Sequence, residues 1–180
     1  MRVGRVPRIL AAGLATMVGL TGCGEEAKPA AQLLQERTCF GVFTRDDLAP
    51  FLGDGDDVRV SGASDAELTA ARRGVTCTVA AGSNYFQASA TRQPLGQSFF
   101  WNRETIHPAA DPLALGDDAI VYNVGARALV NCRGGTDEFG LEVHVSGDVD
   151  KMKPEERRPL FAKLVAKLLD AAKQQSKCRV

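Results

Sequence analysis

The chain contains no Gly-x-Ser-x-Gly elbow, no phosphate-binding glycine loop and no His-Glu-x-x-His helix, so the local signatures of three large enzyme classes are missing. Histidine is scarce. His107 and His144 are the only two, and neither has sequence neighbours resembling a nucleophile pair or a metal shell. There is no Cys-x-x-Cys pair and no Cys/His cluster, which leaves zinc binding and thiol redox work without a motif. No metal or other cofactor is expected. No run of lysine or arginine occurs and the formal net charge is zero, so the footprint of a nucleic-acid partner is lacking. Long apolar runs are missing too: residues 9–20 form an apolar stretch too short to cross the roughly 30 Å hydrocarbon core as a helix.

That short run has specific flanks. Arg2, Arg5 and Arg8 precede it, and Leu20-Thr21-Gly22-Cys23 closes it with two small residues and a cysteine. The arrangement resembles bacterial lipoprotein precursors. The resemblance implies that residues 1–22 are a signal removed on export and that Cys23, through its nucleophilic thiol, takes a diacylglyceryl group. The protein is then expected at the outer face of the cytoplasmic membrane, with the membrane as its first partner through the anchor. Losing three arginines leaves the mature part mildly acidic, with a net charge near −3.

Five cysteines would leave an odd thiol in an oxidising compartment. Committing Cys23 to lipid leaves Cys39, Cys77, Cys132 and Cys178, which can pair completely. Three pairings are open; Cys39 with Cys77 and Cys132 with Cys178 is favoured, because each would tie a helix end to a nearby strand. Residues 23–36 read as a tether reaching at most about 3.5 Å per residue, and residues 37–180 as a single α+β domain.

Within that domain Thr44-Arg45-Asp46-Asp47 is a helix start, with Leu48, Phe51 and Leu52 as its apolar face, Pro50 keeping it short and Gly53 ending it. Ser64-x-x-Glu67 is a second cap signal and predicts a helix through Leu68 that ends at Gly74, with a short strand over 58–60 between the two. From Val75 the hydrophobic period becomes two. Residues 75–81 and 85–92 form a hairpin about Gly82-Ser83-Asn84, and strands follow over 119–123, 127–133 and 139–146. In the last of these Phe139, Leu141, Val143 and Val145 face one way while Glu142, His144 and Ser146 face the other, as in a sheet with one wet side. The chain closes on a helix that Asp150 or a neighbour can cap. Pro154 suits its first turn, and Leu160, Phe161, Leu164, Val165, Leu168, Leu169 and Ala172 form its stripe. Glu155, Arg158, Lys163, Lys167 and Lys173 form the opposite face, which reads as a solvated surface ahead of a contact with anionic lipid.

Three features bear on function. Leu52-Gly53-Asp54-Gly55-Asp56-Asp57 and Leu115-Gly116-Asp117-Asp118 echo one another ahead of two β-rich stretches. Calcium binding by Asp54, Asp56 and Asp57 is the weaker reading there, because Val58 and Arg59 stand where an EF-hand needs a ligand and a glycine. The long connection over 93–116 holds Phe99, Phe100, the only tryptophan Trp101, Arg103 and His107; these either form a binding loop or plug the core beneath it. His144 has solvation as its plain reading.

The lipobox, Cys39 followed by Phe43-Thr44-Arg45-Asp46-Asp47-Leu48, Arg73-Gly74-Val75-Thr76-Cys77, Gly116-Asp117-Asp118-Ala119 and the final amphipathic helix together resemble small uncharacterised lipoproteins of actinobacteria. That family carries no activity across; it implies a cell-envelope protein. The expected architecture is α+β: an antiparallel sheet of about five or six strands, packed by a C-terminal amphipathic helix and stapled by two disulfides. The expected role is a non-enzymatic binding or accessory module for an envelope protein or small ligand. An extracellular hydrolase with dispersed catalytic residues and a carrier of a hydrophobic ligand are the alternatives.

Overall fold

A computed structural model of the chain describes residues 28–96, 109–132, 135–147 and 152–176. It opens with a short 3-10 turn at Ala30–Leu33 and a two-stranded hairpin of β1 (Arg37–Thr38) and β2 (Phe43–Thr44). Cys39, Phe40 and Gly41, in the bend between these strands, all have positive φ, of 43°, 63° and 70°. A left-handed conformation costs a residue with a Cβ about 1–2 kcal/mol. Here it is held by the Cys39–Cys77 disulfide and by burial of the Phe40 ring.

Helix α1 (Arg45–Leu52) forms where the cap signal placed it. The Thr44 hydroxyl accepts from the Asp47 backbone N–H at 3.3 Å, and the Asp47 carboxylate accepts from the Thr44 N–H at 3.0 Å. Gly53, at φ 66°, ends it.

Strands β3 (Val58–Gly62), β4 (Gly74–Ala81), β5 (Asn84–Pro94), β6 (Asp111–Pro112), β7 (Asp118–Tyr122), β8 (Gly125–Asn131) and β9 (Asp137–Ser146) form one antiparallel sheet in the order β3-β4-β5-β9-β8-β7-β6. Gly53 and Gly116 both have a positive φ, 66° and 64°. Each precedes a three-stranded meander, β3-β4-β5 or β7-β8-β9, and the two meanders meet along β5 and β9. The echo in the sequence thus corresponds to equivalent places in the sheet. Among the Asp residues of the first copy, Asp57 is paired with Arg59 at 2.8 Å, and no acid or histidine cluster able to hold a metal ion occurs among the described residues.

Helix α2 (Pro154–Gln175) lies across β7, β8 and β9, while α1 lies over β5. The covered face of the sheet is apolar: Val79, Phe86, Val130, Leu141 and Val143 meet Leu48, Leu52, Phe161, Leu164, Leu168 and Leu169, all fully buried. Phe51 stacks on Phe161 with ring centroids 4.9 Å apart, and Phe43 meets Phe86 edge-on at 5.2 Å. No helix among the described residues is long and apolar enough to cross a membrane.

Several expectations change. The sheet has seven strands where five or six were expected, because the two-residue edge strand β6 pairs with β7. Two residues around a proline carry too little period-two pattern to be seen. The helix expected from Ser64-x-x-Glu67 does not form, and residues 63–73 have no regular structure. Asp65 rather than Ser64 accepts the Glu67 N–H, and the Ala66 and Leu68 N–H groups donate to Gln175 Oε1 and Ser176 Oγ at the end of α2. A helix there would compete for the same donors. The N-cap of α2 is Lys153; Asp150 lies outside the described residues. Among the described residues the structure shows one disulfide, Cys39–Cys77, against the two expected. Cys132 is also held in a disulfide, whereas its expected partner Cys178 lies outside the described residues.

Candidate functional site

Among the described residues the helices cover one face of the sheet, and on β5 and β9 the opposite face carries part-exposed polar side chains. Side chains alternate along a strand, so burying Phe86, Ala88 and Ala90 of β5 turns Gln87 and Ser89 outward, and burying Leu141, Val143 and Val145 of β9 turns Glu142 and His144 outward. The register brings them together. Gln87 lies opposite His144 and Ser89 opposite Glu142, while β8 places Gly125 beside His144 and Arg127 beside Glu142. Gln87, Ser89, Glu142 and His144 line a half-open concavity of about 210 Å³.

Its charges are internally paired. Glu142 Oε1 accepts from the Tyr122 hydroxyl at 2.8 Å and from Arg127 Nε at 2.9 Å, with the second guanidinium arm 2.8 Å away. Tyr122 is buried, and its hydroxyl is pushed well above the ordinary phenol range by that burial, by the Glu142 charge and by their hydrogen bond. It is therefore a fixed neutral donor. Gly125 makes room for it, because a Cβ there would lie 2.3 Å from the Val143 carbonyl oxygen and 2.8 Å from the Tyr122 hydroxyl. On the other flank the Tyr85 hydroxyl donates to Gln87 Oε1 at 3.0 Å, which leaves the Gln87 amide free to donate.

His144 is half-buried, and its affinity for a proton is lowered by that desolvation, with Glu142 opposing the shift and Arg127 adding to it. It stands as a neutral ring. No hydrogen bond links it to Ser89 or to another group among the described residues. The nucleophile-to-base contact that acyl transfer uses is not made. What the arrangement offers is a set of donors and acceptors converging on one concavity.

The residues singled out in the sequence have different fates. Phe99, Phe100, Trp101, Arg103 and His107, the expected binding loop, lie outside the described residues, as do Cys23 and Cys178. Cys39 and Cys77 form the disulfide that ties the left-handed bend to β4. The basic face of α2 is largely engaged: Lys163 and Lys167 reach Asp47 at 3.0 and 2.5 Å, and Arg158 binds Asn123, Asp111 and the Ala109 carbonyl. Asp47 itself is 1 % exposed. Burial would raise its pKa, but bonds from Lys167, the Thr44 N–H, Lys163 and the Thr44 hydroxyl outweigh this and hold it well below the usual carboxylate range.

The concavity itself was missed. Glu142 and His144 were visible as a wet strand face, and Gln87 and Ser89 alternate in the same way on β5. Nothing local shows that these two strands are neighbours.

No protein-family model, no curated protein and no solved structure matches the chain.

Proposed function

We propose that this protein is a lipid-anchored, non-enzymatic binding module of the cell envelope, one that presents the open face of its sheet to a ligand or envelope partner. The observation that carries the reading is the concavity at Gln87, Ser89, Glu142 and His144, where polar groups converge without a nucleophile-to-base bond. The lipobox supports the location: Cys23, once acylated, holds the domain at the outer face of the cytoplasmic membrane. The oxidising compartment suits the Cys39–Cys77 bridge and a second bridge between Cys132 and Cys178. Covalent lipid on Cys23 is the sole attached group in this proposal.

The test is photo-crosslinking in intact cells. A photoreactive residue placed at Thr78, on the open face beside Gln87, should capture an adduct; the same residue at Glu155, exposed on α2, should not. Equal capture from both positions, or none from Thr78, sinks the binding-face reading. Turnover of ester or amide substrates that Ser89→Ala abolishes would replace it with the hydrolase. For the anchor, mass spectrometry of the mature N-terminus should find a diacylated Cys23, and an unmodified thiol there would overturn that part.

A further inference from the structure

We infer that the concavity at Gln87, Ser89, Glu142 and His144 accepts one uncharged, polyhydroxylated ring, a single saccharide unit; this rests on the reading of the open sheet face as a binding surface. Charge decides the class. Glu142 lies against Arg127 at 2.8 Å, so a cation approaching the carboxylate meets the guanidinium and an anion approaching the guanidinium meets the carboxylate. A neutral ligand meets neither penalty.

The free hydrogen-bonding groups match hydroxyls. Three bonds converge on Glu142 Oε1, and Oε2 has no partner among the described residues, so it is an acceptor held in a fixed direction. With Gln87 Oε1 occupied by Tyr85, the Gln87 amide is a donor. Ser89 and the neutral His144 ring each both donate and accept. Hydroxyl groups do both at one atom, and a ring carrying several can answer all four residues together. An apolar ligand would leave these groups unpaired. At about 210 Å³ the space lies below the roughly 300–1,000 Å³ of drug-sized sites, which points to one ring rather than a length of chain.

Amide NMR on the full chain in a sugar-free zwitterionic detergent tests this, with D-galactose, D-mannose and N-acetyl-D-glucosamine as neutral probes and D-glucuronate and D-glucosamine as charged ones. At least one neutral sugar should shift Gln87, Ser89, Glu142 and His144, and bind tenfold or more tightly than either charged sugar. Ser89→Ala, which removes one hydroxyl from an open face, should weaken it about tenfold with its melting temperature unchanged. Gln87→Glu, which swaps the donor for an acceptor at constant shape, should do the same if Ser89→Ala misfolds. Charged sugars binding as well as neutral ones, or no shift with any neutral sugar, overturns the ligand class. If Thr78 crosslinking nonetheless captures a partner, the binding face stands and only the saccharide falls. If both are silent, both readings fall.

Discussion

Along β5, Phe86, Ala88 and Ala90 point under the helices while Gln87, Ser89 and Thr91 point away from them; along β9, Phe139, Leu141, Val143 and Val145 do the first and Glu142 and His144 the second. One backbone thus serves two surfaces that differ in what their side chains satisfy. On the helix side, alanines at 88, 90, 126 and 128 let the helices approach and the large side chains interlock. Stability there comes from area removed from water. On the open side the polar groups are half-satisfied: Arg127 and Tyr122 are committed to Glu142, whereas Ser89, His144 and one oxygen of Glu142 are not. A fold able to leave such groups unpaired on one face needs a strong core on the other.

The contrast breaks most visibly at Phe86, which is fully buried against Phe43. Phe86→Ala should cost about 4 kcal/mol in chemical denaturation, whereas Ser89→Ala, three residues along the same strand, should stay within about 0.5 kcal/mol of the parent. Similar losses from the two would mean that the open face is core.

Asp47 sits at the edge of the helix layer and joins α1 to α2. Asp47→Ala removes the side-chain half of the capping box, the bond to the Thr44 N–H, and the shared partner of Lys163 and Lys167, so a loss of about 2–3 kcal/mol is expected. Its pH dependence has a definite sign. The folded carboxyl holds its proton less tightly than the unfolded one, so the unfolded chain binds more protons in acid. Its contribution is complete above about pH 5 and fades as pH falls below about 4. Acid titrations of the parent and the variant should converge in that window and separate above it.

Gly125 tests the open face from behind. Gly125→Ala forces a Cβ against the Val143 carbonyl and the Tyr122 hydroxyl, and should cost about 1–2 kcal/mol. The Tyr122–Glu142 bond should loosen with it, visible as a fall of the tyrosine's ionisation toward the ordinary range. A neutral outcome on both measures would mean that the strands give way freely there.

The smallest effect belongs to His144. Its folded proton affinity is lowered, so the unfolded chain takes up a proton first as pH falls. The stabilisation is complete above the unfolded value near 6.5 and is lost below it. His144→Gln should flatten the fall in stability that begins as pH drops below about 6.5 and leave the Asp47 window untouched. A profile that keeps its slope would show that another group carries it.

Much of this was legible locally. The Thr44-Asp47 cap, the Gly53 stop, the Pro154 start and the alternation in β4, β5 and β9 are near-neighbour effects of sterics and hydrogen bonding, and the structure keeps them. Ser64-x-x-Glu67 shows the limit of such signals. Its backbone donors find Gln175 and Ser176, more than a hundred residues away, and those contacts override the local cap.

By itself the sequence determined which residues face together on each strand, because a pleated backbone alternates its side chains whatever surrounds it. Tertiary structure alone decided that β5 and β9 lie side by side in one register, Ser89 against Glu142 and Gln87 against His144. That pairing joins strands some fifty residues apart, and it buries their apolar faces in one core, β5 under α1 and β9 under α2. A polar site made by register cannot be read from either strand alone.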